Sequence, residues 1–378
     1  SKIFLWKNAM IFWKWKEKWT LSTVFKGDRT RIDSIVLDSY AFFGMPLAKT
    51  FQSDLPLKNK KVLILGNRSY KNMGDELILL GTIRILQEQN NEVIVSAYNP
   101  ERLQSFFSQF PDLKPITYIH EFPKGFRSAF RYFFSDKRKE LVTYRWVDAV
   151  IIGGGEILTE ESVHSYRYRN LWLLPLQAKL KKTLVYLMGG IQIPKKKINQ
   201  MLFRWLLSQT EGVFARDPES VEALKDFWYH KTHFFMDTSY FCYPRDKVES
   251  LPRTEKTVLI NLNKNGEQFF EELIKECETL IATGFSLKYV PVSKGTSPVY
   301  NDLLYKNKLE KRLGITLPIV DRESDFNAFV QEVADAELVI TARLHLFLVS
   351  SFIGTKVKVF PYQKKILKMQ KMLQIVSY

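Results

Sequence analysis

Cysteines, long apolar runs and phosphate-binding glycine motifs are scarce or absent in this chain. The two cysteines, Cys242 and Cys277, are too few for a disulfide framework and lack the spacing of a zinc site. A reducing, cytoplasmic setting without a metal site is therefore expected. No run of about 18 apolar residues occurs, so no bilayer-spanning helix is predicted. The dinucleotide fingerprint and the Gly-Lys-Ser/Thr phosphate loop are both missing.

Acidic residues are the minority among the charged side chains. The sequence has 56 Lys and Arg against 40 Asp and Glu, a net charge of +16. This sign favours anionic partners, which include phosphorylated substrates, an acidic membrane surface and nucleic acid, and the charge does not choose among them. With 378 residues, of which 46% are hydrophobic, the chain is long enough for two domains with buried cores.

Two stretches combine basic and aromatic residues. Residues 1–60 are predicted as an N-terminal extension, and Trp alternates with Lys in its first 26 residues, as in a helix that lies in a membrane interface. A helix packed on the neighbouring domain with solvated lysines explains this segment equally well. The second stretch, from Phe126 to Trp146, suits lipid head groups or a strand of nucleic acid, although a half-buried amphipathic helix is the more common reason for such a pattern. It carries no recognisable nucleic-acid-binding motif, so no nucleic-acid partner is predicted.

From residue 61 onward, apolar strands alternate with helical patterns, which predicts an α/β fold. The first set covers 61–243, a polar segment with prolines at 244–257 reads as a linker, and a second set covers 258–361. Within the second set, a strand is predicted at Leu317 to Val320. Residues 362–378 are predicted as a C-terminal helix. In such folds, ligands bind where the carboxyl ends of the strands meet.

The first candidate site is the turn and helix start that contain Asn72, Gly74, Asp75 and Glu76. This position lies at the carboxyl edge of the first predicted strand. Negative charge also suits the first turn of a helix, so simple capping is the alternative explanation.

Two further strand ends carry candidate residues. Gly153 to Gly155 end an apolar strand and leave room for a ligand beside bare backbone amides, although a tight turn is the more common reason for such a run. Arg216 ends another strand, just before Asp217, a predicted helix N-cap followed by proline. An arginine there can hold a carboxylate or phosphate, or can pair with Asp217 or Asp237.

The second set of elements contributes Arg343 and His345, which follow a strand at the start of a helix, and Lys365 near the end of the chain. A single histidine in this context is usually structural. The presence of Arg343 and Lys365 on the same predicted edge makes His345 a candidate for ligand binding and proton transfer.

In their order and spacing, these motifs resemble the polysaccharide pyruvyltransferase family. The motifs are Asn72-Met-Gly-Asp-Glu, Gly153-Gly-Gly, Arg216-Asp, Arg343-Leu-His and Tyr362-Gln-Lys-Lys, and the resemblance covers about Lys61 to Lys365. It implies a GT-B-like architecture, in which two Rossmann-like domains face a cleft. It also implies an enzyme that transfers the carboxyvinyl group of phosphoenolpyruvate to a sugar and leaves a pyruvate ketal.

The resemblance assigns the donor side of the reaction to basic residues. It implies that Arg216, His345 and Lys365 hold the phosphate and carboxylate of phosphoenolpyruvate, with Arg343 close by. Several fixed cations suit a donor with about three negative charges when no metal is called for. Phosphoenolpyruvate is then a co-substrate, and no cofactor is expected.

The resemblance assigns the acceptor side to the first motif. It implies that Asn72, Asp75 and Glu76 face the sugar, and His164 falls where a further site histidine is plausible. Asp75 or Glu76 is the candidate base for the sugar hydroxyl, and His345 is the candidate acid.

The expected acceptor is a sugar of a bacterial cell-surface polysaccharide, such as an exopolysaccharide, or of its lipid-linked precursor. The protein is then expected to act in the cytoplasm, as a peripheral protein at the inner face of the cell membrane. Two alternatives stay open. One is a nucleotide-sugar-dependent GT-B glycosyltransferase of polysaccharide biosynthesis, and the other is a non-catalytic protein that binds membrane or nucleic acid through its charge.

Overall fold

The computed structural model describes residues 36–37, 55–66, 72–121, 134–136, 139, 146–155, 183–243, 256–295, 298, 301–363 and 366–370. All of them belong to one compact unit, Val36–Tyr378. The Trp- and Lys-rich stretch of residues 1–26 lies outside the described residues, as does most of the basic and aromatic stretch between Phe126 and Trp146.

The described strands form two sheets. In chain order they are β1 (Val36–Leu37), β2 (Lys61–Leu65), β3 (Glu92–Ala97), β4 (Ile116–His120), β5 (Ala149–Gly153), β6 (Leu184–Gly189), β7 (Gly212–Ala215), β8 (Thr232–Phe234), β9 (Thr257–Asn261), β10 (Ser286–Tyr289), β11 (Leu338–Thr341) and β12 (Val357–Val359). The seven-stranded sheet has the order β4-β3-β2-β5-β6-β7-β8, and all of its pairs are parallel. The five-stranded sheet has the order β1-β12-β11-β9-β10, and only β1 runs antiparallel to its neighbour.

Helices connect these strands. The described ones are α1 (Met73–Glu88), α2 (Pro100–Phe107), α3 (Lys197–Ser208), α4 (Pro218–Asp226), α5 (Phe270–Ala282), α6 (Leu303–Leu313), α7 (Phe326–Asp335) and α8 (Leu344–Ile353). Alternation of parallel strands with helices confirms the predicted α/β class. None of the described helices is long and apolar enough to cross a membrane.

Helix α1 is the element that both sheets share. Asn72 caps it, because its side-chain oxygen accepts a hydrogen bond from the Gly74 amide at 3.0 Å. The helix is apolar on nearly all sides and buried, as a helix packed between two layers must be. Its first amide, on Met73, donates to the Val292 carbonyl at 2.9 Å, next to the five-stranded sheet.

One apolar core runs through both sheets around α1. It contains residues of the seven-stranded sheet and α1 together with residues of α7, α8 and β12; the members include Val62, Ile151, Leu77, Leu80, Ile83, Phe329, Phe347 and Val357. Aromatic contacts extend it, since the Phe110 and Phe326 rings lie 5.1 Å apart. The two sheets are therefore joined by buried apolar surface as well as by the chain.

A 3₁₀ turn at Thr238–Phe241 packs closely against the middle of α1. The Thr238 hydroxyl donates to the Ile78 carbonyl at 2.8 Å. The Thr82 hydroxyl donates to the Thr238 hydroxyl at 3.1 Å. Gly81 makes this approach feasible, because a Cβ at that position would lie 1.7 Å from the Thr238 carbonyl oxygen. This contact fixes the residues just before the turn, among them Asp237, relative to α1.

Some predicted elements differ from the structure. The strand expected at Leu317 to Val320 is reduced to a single bridge between Ile319 and Tyr289, because Pro318 has no amide hydrogen to extend a ladder. A 3₁₀ turn at Lys264–Phe269 precedes α5, which starts at Phe270. At the C-terminus, helix is described only for residues 366–370.

Candidate active site

The carboxyl ends of β5, β6 and β7 meet at one glycine-lined edge. The Gly190 amide donates to the Gly155 carbonyl at 2.9 Å, and the Arg216 amide donates to the Gly189 carbonyl at 3.2 Å. Gly189 has a φ of +134°, and a Cβ there would lie 2.8 Å from the Gly155 carbonyl oxygen. Only glycine fits this position, so the predicted turn at Gly153 to Gly155 and the turn at Gly189 form one continuous rim.

Arg216 projects from this rim and is almost fully buried. Its Nη1 lies 3.2 Å from Oδ2 of Asp237, one of the two carboxylates considered as its partner. Together with glycines of the rim and with Asp237 it lines a small cavity. The predicted start of the following helix is confirmed, because Asp217 accepts from the Ser220 amide at 2.9 Å and a proline follows it.

Asp237 is held as a carboxylate beside Arg216. Burial raises the pKa of Asp237, but the positive charges of Arg216 and His345 and the hydrogen bonds from Ser239 outweigh burial. The net result is a pKa below the ordinary value for aspartate. From the sequence, Asp237 can be recognised only as an alternative partner of Arg216. The available signal was its place just after β8, at the same edge as the other strand ends.

His345 of α8 touches the first turn of α1. A Cβ on Gly74 would lie 2.1 Å from Nδ1 of the imidazole, so the ring occupies the space that the missing side chain leaves open. The charge of His345 also stabilises the Asp237 carboxylate. The structure therefore brings together the Gly74 turn, Arg216, Asp237 and His345, which the chain separates by up to about 270 residues.

Asp75 lies beside the same rim. Its Oδ1 would be 3.7 Å from a Cβ on Gly155, and the residue lines a second small cavity with Gly153 and Gly154. It is half-buried, so its carboxylate keeps some access to solvent. Asn72, in contrast, uses its side-chain oxygen to cap α1.

The position of Glu76 corrects one expectation. Glu76 was expected to face the sugar and was one of two candidates for the base. Instead it is 1% exposed: Oε1 lies 2.5 Å from Nη2 of Arg102, and Oε2 lies 2.9 Å from Nη2 of Arg322. Both oxygens are occupied, and α1 turns Glu76 about 100° away from Asp75. Glu76 therefore joins the two sheets and does not face the cleft.

Arg343 is likewise held by a carboxylate. Its guanidinium forms an ion pair with Asp302, which is fully buried and also accepts from the Asn261 side chain and the Val292 amide. Burial lowers the pKa of Arg343, but the charge and hydrogen bonds of Asp302 raise this pKa by more than burial lowers it. The net pKa of Arg343 is therefore above its ordinary value. The guanidinium remains at the start of α8, which has no side-chain cap.

The remaining predicted site residues, Lys365 and His164, lie outside the described residues. Within the described part of the chain, no cluster of three or more His, Cys, Asp or Glu side chains is arranged to hold a metal ion. The arrangement can bind a small anion with Arg216, His345 and the start of α8. It can also exchange protons through His345 and the Asp75 carboxylate.

Comparison with solved structures shows the same architecture. A protein assigned as a UDP-N-acetylglucosamine 2-epimerase from Listeria monocytogenes is 14% identical with a TM-score of 0.52, over 82% of each chain. The UDP-GlcNAc 2-epimerase of Neisseria meningitidis bound to UDP-GlcNAc is 13% identical with a TM-score of 0.50, over 84% of this chain and 92% of that one. A glycosyltransferase from Rickettsia africae is 14% identical with a TM-score of 0.50, over 80% and 79%. At these identities the likeness establishes the fold alone, a GT-B-like arrangement of Rossmann-like units.

Comparison with protein families is more specific. No curated protein sequence matches the chain. The family model described as polysaccharide pyruvyl transferase matches residues 72–363, from the Asn72 motif to the residue after Tyr362. This span is most of the sequence and includes Arg216, Arg343 and His345. The chain therefore belongs to the polysaccharide pyruvyl transferase family, a family of enzymes.

Proposed function

We propose that the protein transfers the carboxyvinyl group of phosphoenolpyruvate to a sugar of a bacterial cell-surface polysaccharide or of its lipid-linked precursor. The products are a pyruvate ketal on the sugar and inorganic phosphate. The observation that best supports this proposal is the contact of His345 with Gly74. Through this contact, a proton donor touches the first turn of α1, and the Asp75 carboxylate of the same turn lies beside the glycine rim that also carries Arg216.

Binding of the donor is assigned to the basic side of this rim. Phosphoenolpyruvate carries about three negative charges, and fixed cations stabilise such an anion best in a water-poor site. Arg216 and His345 supply two of them, and Lys365 is the third on the basis of the sequence. The uncapped start of α8 adds the positive end of a helix dipole next to His345.

The chemistry needs one base and one acid. Asp75 takes the proton of a sugar hydroxyl as its oxygen adds to C2 of the enol, and His345 delivers a proton to C3. Phosphate then leaves with the electron pair of its C–O bond, and a second hydroxyl of the sugar adds to C2 and loses its proton. The ketal closes without any redox step.

The expected acceptor also suggests where the enzyme works. A polymer repeat or lipid-linked sugar is available at the inner face of the cell membrane, and the Trp- and Lys-rich residues 1–26 have the composition of a segment that lies in a membrane interface. We infer that the protein acts there as a peripheral protein.

Release of phosphate tests the reaction directly. We expect phosphoenolpyruvate to yield inorganic phosphate only when a suitable glycan is present, and to raise the melting temperature on its own because it binds the folded state. A thermal shift with a nucleoside diphosphate and none with phosphoenolpyruvate would favour a nucleotide-sugar glycosyltransferase instead. Steeply salt-dependent binding to any polyanion, unaffected by Arg216→Ala, would favour a non-catalytic protein.

The Gly74→Ala variant tests the contact on which the proposal depends. Its new Cβ would displace the His345 ring, and a catalytic group misplaced by about 1 Å costs on the order of 100-fold in rate. We expect turnover to fall by about this factor while the melting temperature changes little, because alanine favours a helix by about 1 kcal/mol over glycine.

The matched control is Gly81→Ala on the same helix. There the new Cβ would meet the backbone of Thr238 rather than a side chain, so we expect a loss of about 1–3 kcal/mol in the free energy of unfolding. Normal turnover in Gly74→Ala would show that the position of His345 is unimportant for the reaction.

A further inference from the structure

Helix α3 has an apolar outer face. Its buried side carries Asn199, Phe203, Leu206 and Leu207, and the last three belong to a core cluster with residues of the seven-stranded sheet. The opposite side exposes three large apolar side chains: Ile198 by 63%, Met201 by 62% and Trp205 by 38%. Their spacing of i, i+3 and i+7 puts them on one stripe of the helix. A surface helix normally turns polar residues outward, so this stripe is an organised patch.

A fourth exposed apolar side chain adjoins this helix. Trp228 is 85% exposed and has a φ of +67°, a conformation that side chains with a Cβ rarely adopt. It follows Phe227, whose ring lies 4.8 Å from the Arg204 guanidinium and 5.6 Å from the Phe203 ring. The backbone therefore turns a second tryptophan to solvent next to α3.

Basic residues border the apolar stripe. Lys195, Lys196 and Lys197 are all exposed at the start of α3, and Arg204 is exposed further along it. Lys197 and Arg204 are seven residues apart, so they line the same flank of the stripe. No acidic residue occurs between 195 and 208. Lysine and arginine beside Trp, Ile and Met are the composition of a helix that lies in the head-group region of a membrane.

The geometry points to a lipid surface as the occupant of this face. We propose that α3 docks on an anionic phospholipid bilayer, with Ile198, Met201 and Trp205 in the boundary between head groups and acyl chains. A second copy of the chain fits less well, because a symmetric contact would bring together two copies of one positively charged patch, which repel each other. Four side chains also cover much less than the roughly 800 Å² per partner of a stable protein interface.

The position of α3 connects this surface with the glycine rim. The helix starts shortly after the carboxyl end of β6, so its lysines lie at the sheet edge that also carries Gly189 and Arg216. The connecting loop is fixed there, because Ser220 Oγ donates to the Ile191 carbonyl at 3.1 Å. A docked bilayer would border the edge where a lipid-linked sugar must enter. This link to the acceptor rests on the proposed function, whereas the docking itself does not.

Flotation of the full chain with vesicles tests the docking surface. The vesicles are pure phosphatidylcholine or a mixture with phosphatidylglycerol. One variant combines Ile198→Ser, Met201→Ser and Trp205→Ser, and a second combines Lys195→Gln, Lys196→Gln and Lys197→Gln. A matched control replaces three exposed apolar side chains near the other sheet, as Ile281→Ser, Leu304→Ser and Ile319→Ser.

We expect wild type and control to float with the anionic vesicles and both α3 variants to bind at least about tenfold less, because burial of apolar side chains and attraction of lysines both contribute. Equal flotation of all four proteins would overturn the proposal. So would a wild-type dimer that the apolar variant converts to a monomer without vesicles. If flotation depends on α3 but phosphoenolpyruvate yields no phosphate with any glycan, the proposed function fails and the docking surface stands.

Discussion

His345→Ala is expected to lower kcat for pyruvyl transfer by about 10²–10⁴-fold, the usual contribution of a positioned general acid or base. The imidazole packs against Gly74, and its charge stabilises the Asp237 carboxylate. Its loss therefore removes the proposed proton donor and one of the donor-binding cations. Phosphate release at saturating phosphoenolpyruvate measures the effect on kcat, and the thermal shift with phosphoenolpyruvate measures the effect on binding.

His230→Ala is the matched control, because His230 is exposed and lies on the short loop between α4 and β8. We expect this variant to turn over at the wild-type rate. The pH dependence of kcat gives a second readout: a limb assigned to the acid should disappear in His345→Ala and persist in His230→Ala. Wild-type turnover by His345→Ala would remove His345 from the mechanism.

Glu76→Gln is expected to lower the free energy of unfolding by about 3–5 kcal/mol, the usual cost of breaking a buried ion pair from one side. Arg322 is 1% exposed, and its remaining hydrogen bond, from Nη1 to the Pro291 carbonyl at 3.1 Å, cannot balance its charge. Urea denaturation measures the loss. The substitution keeps the shape of the side chain, so the effect reports charge and not a cavity.

Glu337→Ala provides the comparison at the surface. Glu337 pairs with Lys356 at 3.0 Å, but the two side chains are 51% and 41% exposed. A pair of this kind contributes about 0–1 kcal/mol. If Glu76→Gln were as stable as Glu337→Ala and lost activity instead, Glu76 would return as a candidate for the base.

The features that the sequence predicts correctly are local ones. Asp217 can be recognised as a helix cap because its partner lies three residues away. Parallel strands can be predicted from the sequence because continuous apolar runs alternate with helical patterns. The strand expected at Leu317 to Val320 also had an apolar pattern, but one proline inside it prevented a ladder.

The features that the sequence cannot supply are the choices among distant partners. Glu76 and Arg322 are 246 residues apart, and many other acids and bases were equally available. Because α1 is apolar on nearly all sides, its hydrophobic pattern does not show which of Asp75 and Glu76 faces the cleft. The pairing of Arg343 with Asp302 cannot be predicted either, because many other acidic residues were equally available. Only the packing of one sheet on the other decides these contacts.

The core that spans both sheets has a consequence for how substrates reach the rim. Two-lobed enzymes commonly admit ligands by a hinge motion that swings the lobes apart. In this chain, such a swing would bring Leu80 and Phe347 into water and pull Glu76 away from Arg322. Local movement of surface segments costs less free energy because the shared core stays buried. Rates of substrate entry should therefore respond to changes in loops more than to changes at a hinge.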